Sequence, residues 1–199
     1  MHREVSSIEY PLTSSQEPET RYRNPVAGDK PDTQLAPHQK KALNSALRIL
    51  TRRDHSKYEL VRKLKQRGFS REDIDNAISS CEKFDYINDE RTAQVYIREL
   101  KRKGYGKKRI QLELNKKGLI GTRILGILDE SVSETDEREG AERILTKNIK
   151  RFERETGALK RRDKIYRFLH ARGFLQGVIA EILQKYDQTE NLRNDPVRK

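Results

Sequence analysis

The chain has no tryptophan and a single cysteine among its 199 residues, and its hydrophobic fraction of 33% is smaller than its charged fraction of 37%. That composition argues against one large core and favours several small cores in series. With Cys81 alone, no internal disulfide framework can form, so a reducing, cytoplasmic setting is expected, with Cys81 packed as a small apolar side chain. No apolar run approaches the length that spans a bilayer, and the opening MHREVSSIEY lacks a charged segment followed by an apolar one. Neither a membrane association nor a secretory leader is expected. No stretch alternates with period two, so no sheet is expected either.

Signatures of catalysis are also missing. His2, His38, His55 and His170 are scattered without ligand spacing and read as solvated or helix-surface residues. The turn GYGKK at 104–108 is too short for a P-loop, has no Ser/Thr after its lysines and follows a helix where a strand is required. It reads as a helix break, although a Gly-rich turn at a helix start can hold phosphate. Asp85, Asp89 and Glu90 cluster as a metal-dependent nuclease would need, yet capping and the helix dipole already explain acids there. No nucleophile pairs with a base. The expectation is a protein with no catalytic residue, metal or cofactor.

What the chain does have is a repeat. Leu60, Leu64, Gly68, Phe69, Ile74 and Ile78 recur fifty residues later as Ile110, Leu114, Gly118, Leu119, Ile124 and Leu128. They recur again after fifty-five more as Ile165, Leu169, Gly173, Phe174, Ile179 and Leu183. One supersecondary unit is used three times. In the first unit Leu43, Ala46, Leu47 and Leu50 mark a helix between Ala36 and Thr51; Ser56 with Glu59 opens a second helix that Gly68 ends; Ser70 caps a third, ending near Lys83. Asn88 or Asp89 caps the first helix of the second unit, which Gly104 and Gly106 break, and Gly118 and Gly121 bracket its next turn. In the third unit the early helix matches at a shift of 52 and the later ones at 55. Three extra residues are therefore expected in a loop around Glu155 to Leu159. Residues 129–139 (DESVSETDERE) link units two and three and supply acids to the first turn of a long helix.

The fold expected is all-α: an elongated, curved array of three tandem three-helix repeats sharing contacts along a line. Its parts are a disordered arm at 1–36, repeats at 37–86, 87–132 and 133–186, and a flexible tail at 187–199.

Charge is concentrated in the repeats. The arm carries four Lys/Arg against six Asp/Glu and the tail three of each, leaving a net of +14 on the rest. Residues 96–117 hold a local net of +7, with Arg98, Lys101, Arg102, Lys103, Lys107, Lys108, Arg109, Lys116 and Lys117. Residues 143–172 hold +8, including Lys160, Arg161, Arg162, Lys164 and Arg167. Solvated helix faces usually mix their charges, so these one-sided runs point to a phosphate backbone or an acidic protein face. The main contact stripe is expected at Lys101, Arg102, Lys103, Lys107, Lys108 and Arg109, with Lys160, Arg161 and Arg162 second. Tyr96 falls on the apolar stripe; Tyr105, between glycines, is the candidate stacking residue.

The stretch from Arg52 to Leu119 resembles the RecX family of bacterial regulators of the RecA recombinase. The residues that carry the likeness are Arg53, Ser56, Glu59, Leu60, Lys63, Leu64 and Gly68; the junction Tyr86, Ile87, Asn88, Asp89, Arg91 and Ala93; and Lys103, Gly106, Arg109, Ile110, Glu113, Leu114, Lys117 and Gly118. Asn88 stands where Asp is usual and Thr92 where Phe is common, and Thr92 is expected to loosen packing at the junction. The resemblance implies a monomeric rod lying in the groove of the RecA filament on single-stranded DNA. It implies lowered ATP hydrolysis, strand exchange and co-protease action, and a place in recombinational DNA repair and the SOS response. The competing reading from charge alone is a sequence-independent DNA binder that competes for the single- or double-stranded substrate.

Overall fold

The computed structural model describes residues 36–194, with side chains described as far as Glu190. The expected arm thus lies, apart from Ala36, outside the described residues. Among them stand nine helices: α1 (Pro37–Leu50), α2 (Lys57–Gln66), α3 (Arg71–Lys83), α4 (Asp89–Arg102), α5 (Lys107–Lys116), α6 (Thr122–Ser131), α7 (Glu134–Glu153), α8 (Ala158–Ala171) and α9 (Gln176–Asn194). No strand occurs among the described residues. Three hydrophobic clusters follow the three triplets, built on Leu43, Leu60 and Ile78, on Ile97, Ile110 and Leu128, and on Leu145, Ile165 and Ile179. Full burial of one such side chain contributes about 1.5–3 kcal/mol, which is why small separate cores suffice for helices this short.

The local signals work as their chemistry dictates. The Ser56 hydroxyl accepts from Glu59 N–H and the Glu59 side chain reaches back to Ser56 N–H; Ser133 and Asp136 repeat the box at α7. Ser70 caps α3, and Asn88, rather than Asp89, caps α4. Each second helix ends alike: Gly68, Gly118 and Gly173 have φ of +81°, +72° and +82°, and the next N–H, of Phe69, Leu119 or Phe174, reaches back to the carbonyl of Leu64, Leu114 or Leu169. This is the Schellman turn with its apolar residue after the glycine. Cys81 is fully buried, and burial pushes its thiol up to about 12.

Three expectations need correction. The loops after α4 and α7 are the same length, so the extra residues of repeat three are not a loop; they lengthen α8 by about one turn at its start. Ala158, Leu159, Lys160 and Arg161 are all good helix formers, and helix adds one hydrogen bond per residue there. α9 runs on to Asn194, past the expected tail boundary at Asp187, because Arg162 pairs with Asp187 and Arg161 with Glu190. His55 is buried, not solvated: its Nδ1 lies 2.8 Å from the carbonyl of Arg53, and burial lowers its pKa.

Successive repeats meet through one device used twice. At the first joint the N-terminus of α2 sits on the glycine turn that ends α5. The Ser56 hydroxyl donates to the Lys117 carbonyl, Lys57 N–H donates to Asp89 Oδ1 at 2.8 Å, and Lys117 Nζ pairs with Glu59 at 3.0 Å. Asp89, which local capping would have explained, thus caps the helix of the preceding repeat. At the second joint the N-terminus of α5 sits on the turn ending α8: Gly106 N–H donates to Arg172 O at 2.9 Å and Lys108 N–H to Gly173 O at 3.1 Å. Glu137, only 2% exposed, accepts from Lys107 N–H with one carboxylate oxygen and from Leu175 N–H with the other. α5 has no side-chain cap and no acid in its first turn, so Glu137 supplies the missing negative charge from another repeat. Replacing it in E137Q leaves one of the two N–H groups facing an amide NH2. The expected cost is about 1–3 kcal/mol, read as a lower urea midpoint; an unchanged midpoint would show that the staple contributes nothing.

Both joints also carry a carboxylate held low. Burial alone would raise Glu59, but hydrogen bonds from Arg53 and Lys117 override it and bring the carboxyl to about 2. Asp136, in the α7 capping box, is brought to about 2 by its hydrogen bond from Lys101 and those from Ser133. A carboxyl lowered on folding stabilises the fold while it is ionised. The contribution is therefore complete above pH of about 5 and fades as the pH falls from about 4.5 toward 2. For Glu59 the loss is about 1–2 kcal/mol once solvent screening is allowed for. Unfolding midpoints followed from pH 7 to 3 should fall less steeply in E59Q than in the natural chain, and parallel curves would remove Glu59 from the account.

Candidate partner-binding surface

The structure sorts the thirteen basic residues singled out by charge density. Lys101 and Lys117 belong to the joints: Lys101 Nζ lies 2.7 Å from Ser131 O and 2.8 Å from Asp136, and Lys117 also sits 4.7 Å over the Tyr96 ring. Lys107 pairs with Asp129 at 3.0 Å, Lys103 with Glu99 at 2.6 Å, and Arg109 and Lys116 share Glu113. Arg161, Arg162 and Lys164 pair with Glu190, Asp187 and Glu155. Arg98, Arg102, Lys108 and Lys160 are exposed and have no carboxylate partner among the described residues. An anionic partner meets these four without breaking an existing pair, and an exposed pair such as Lys103 with Glu99 is held weakly and exchanges readily.

Part of the basic surface converges on a groove of about 670 Å³ beside the second joint, between the turn leading into α5 and the corner of α7 and α8. Arg109, Arg151, Lys164, Arg167 and Arg172 line it, and no carboxylate does. Its floor is aromatic. The Arg172 guanidinium lies 4.8 Å from the centre of the Phe168 ring and 6.0 Å from that of Tyr105, and Arg109 lies 5.7 Å over Tyr105 from the other side of the joint. Tyr105, expected as an exposed stacking residue, is half-buried and packs its ring against these cations. Arg172 is pinned by donating to the carbonyls of Lys103 and Gly104 at 3.2 and 3.3 Å. Charge density singled out Arg109, Lys164 and Arg167 but passed over Arg151 and Arg172. The missed signal was spacing: Lys164, Arg167, Phe168, Ala171 and Arg172 fall at i, i+3, i+4, i+7 and i+8, one face of α8 continued by its C-cap residue.

The alternatives weighed from the sequence meet geometry that disfavours them. The N–H groups of Gly106, Lys107 and Lys108, which a phosphate at GYGKK would need, are already taken by Arg172 O, Glu137 and Gly173 O. Asp85 binds Arg91 and Asn88, Asp89 binds Lys57 N–H, and Glu90 binds Arg123, so the three carboxylates diverge. No group of three or more His, Cys, Asp or Glu converges as a metal site among the described residues. No described helix is long and apolar enough to cross a membrane. Thr92 is buried on α4.

Comparison with known proteins gives one answer at three levels. The model of the first RecX three-helix domain matches residues 42–81, and that of the second matches residues 88–120. A protein of Legionella pneumophila described as "Regulatory protein RecX" is 37% identical over 146 residues, covering 73% of this chain and 94% of its own length. The protein of the same description from Haemophilus influenzae is 34% identical over 144 residues, 71% of this chain and 92% of that one. The crystal structure of RecX from Lactobacillus salivarius superposes with a TM-score of 0.69 at 26% identity, covering 77% of this chain and 99% of that one. The repeated three-helix unit, its glycine turns and this likeness over nearly the whole length of its relatives make the chain a member of the RecX family of regulatory proteins.

Proposed function

We propose that the protein regulates the RecA recombinase, mainly as an inhibitor, by seating its basic repeats in the groove of the RecA filament on single-stranded DNA. Bound there it lowers ATP hydrolysis, strand exchange and co-protease action, and so restrains recombinational repair. The observation that carries this reading is the family likeness, 37% identity over 146 residues with one relative, and the joint residues Ser56, Asp89, Gly106 and Gly118 fall within the two segments that the three-helix family models match. The unpaired cations Arg98, Arg102, Lys108 and Lys160 support it, since they add attraction to a polyanionic filament. A ligand changes a filament's activity only through unequal affinity for its states, and a protein touching successive subunits discriminates between filament geometries. The two joints, which fix how each repeat meets the next, set the spacing of those contacts.

Co-sedimentation tests the reading. With single-stranded DNA fully covered by RecA in the presence of ATP, the protein should pellet with the filament far more than with RecA alone. Equal recovery with bare DNA and with filaments would reduce it to a strand binder. That second reading, direct and sequence-independent binding of the strand, is favoured by one feature, the carboxylate-free groove at the second joint.

A further inference from the structure

The groove beside Tyr105 differs from the other basic surfaces in offering flat faces as well as charge. Phe168 meets Phe152 edge-on at 5.3 Å, the Arg172 plane lies over Phe168, and the Arg151 guanidinium stands 6.0 Å over Phe152. Arg151 has no carboxylate partner among the described residues. Arg167 pairs with Asp163 and Lys164 with Glu155, in both cases with acids that lie outside the groove wall. The backbone around the groove is fixed by the joint itself, through Gly106 N–H to Arg172 O and the Arg172 side chain to Lys103 O and Gly104 O. The site is therefore built before any ligand arrives. At about 670 Å³ it falls in the range of pockets that hold one small ligand unit, ~300–1,000 Å³.

An acidic peptide would use the five cations and leave the rings and guanidinium planes idle. A duplex keeps its bases stacked on one another and shows only backbone. An unpaired nucleotide uses both halves of the site, because bases stack on aromatic rings and on guanidinium planes while Arg forks bind phosphate. We propose that this groove is a single-strand nucleic-acid site, in which a base stacks on the Arg172, Phe168 and Tyr105 layer and neighbouring phosphates pair with Arg151, Lys164 and Arg167. The proposal rests on the strand-binding reading above and gives it an address; it does not require RecA.

The test uses the full chain without RecA and a dye-labelled oligothymidylate, read by fluorescence anisotropy across a salt series. R151Q combined with R167Q should weaken binding at least tenfold and lower the slope of log affinity against log salt by roughly 1.4. Y105L, which keeps the apolar contact and removes the ring, should weaken binding several-fold with the slope unchanged. K65Q combined with K83Q, in the first repeat, should change affinity less than twofold. A variant-free arm avoids any question of folding: an oligonucleotide carrying iodouracil, irradiated on the natural chain, should cross-link at Tyr105 or Phe168. Cross-links confined to other repeats would overturn the proposal, as would equal losses from the first-repeat and groove substitutions. Equal competition by thymidine monophosphate would assign the site to free nucleotides, and by polyglutamate to an acidic protein; either result overturns it. If the natural chain does not bind the oligonucleotide, the strand-binding reading falls with it. If it binds and the groove variants bind equally well, only the address is wrong.

Discussion

Alanine at Gly173 is expected to cost at least about twice what it costs at Gly68, although the two glycines have nearly the same φ, +82° and +81°. A non-glycine residue in the left-handed region costs about 1–2 kcal/mol wherever it stands. At Gly68 nothing lies within 4 Å of the added Cβ, so that strain is the whole effect. At Gly173 the Cβ would sit 2.3 Å from Arg109 N and 2.5 Å from Arg109 Cβ, which no side-chain rotation relieves because the first of these is backbone. The second joint must open, breaking Gly106 N–H to Arg172 O and Lys108 N–H to Gly173 O. Two buried hydrogen bonds at about 1 kcal/mol each, added to the strain, give about 3–4 kcal/mol for G173A against about 1–2 kcal/mol for G68A. G118A should lie near G173A: its Cβ would meet Tyr58 Cβ at 2.3 Å, an atom that moves only with the α2 backbone, so the first joint must open as well. Urea unfolding of the three variants measures the order. Equal losses at Gly68 and Gly173 would mean that the joint is not in contact in solution.

The largest functional effect is expected from reversing the four uncommitted cations together, as R98E, R102E, K108E and K160E. Four reversals take the net charge from +12 to +4 without touching a joint or an existing ion pair. Because each side chain is solvated and unpaired, stability should change by less than about 0.5 kcal/mol per site. The concentration needed for half-inhibition of RecA ATP hydrolysis should rise at least tenfold, through lost attraction to a polyanionic filament. K101E and K117E should behave differently, since these lysines pair with Asp136 and Glu59 inside the joints. Their loss of inhibition should come with a lower unfolding midpoint. A folded quadruple variant that inhibits as well as the natural chain would remove the basic surface from the mechanism.

The same contrast marks how far the sequence could be read. The glycines at 68, 118 and 173, the serine caps and the apolar stripes act within a few residues of themselves, and they place helices and cores where periodicity puts them. The joints are invisible by that route. Ser56 meets Lys117 sixty-one residues on, and Asp89 has a sufficient local explanation as a first-turn acid while in fact serving the helix before it. Counting charge picks out basic segments but could not separate Lys101 and Lys117, which are used internally, from Arg102 and Lys108, which are not. The extra residues of repeat three looked like a loop because an insertion costs least in a loop; ALKR instead lengthens α8 by about one turn.

The central claim is tested most directly by single-stranded-DNA-dependent ATP hydrolysis by the cognate RecA, with the protein titrated in well below one molecule per RecA and the DNA kept in excess. Inhibition that begins at these ratios and survives further additions of DNA is the result expected of a regulator acting on the filament. Inhibition that disappears as DNA is added, or that needs one molecule for every RecA, would contradict it.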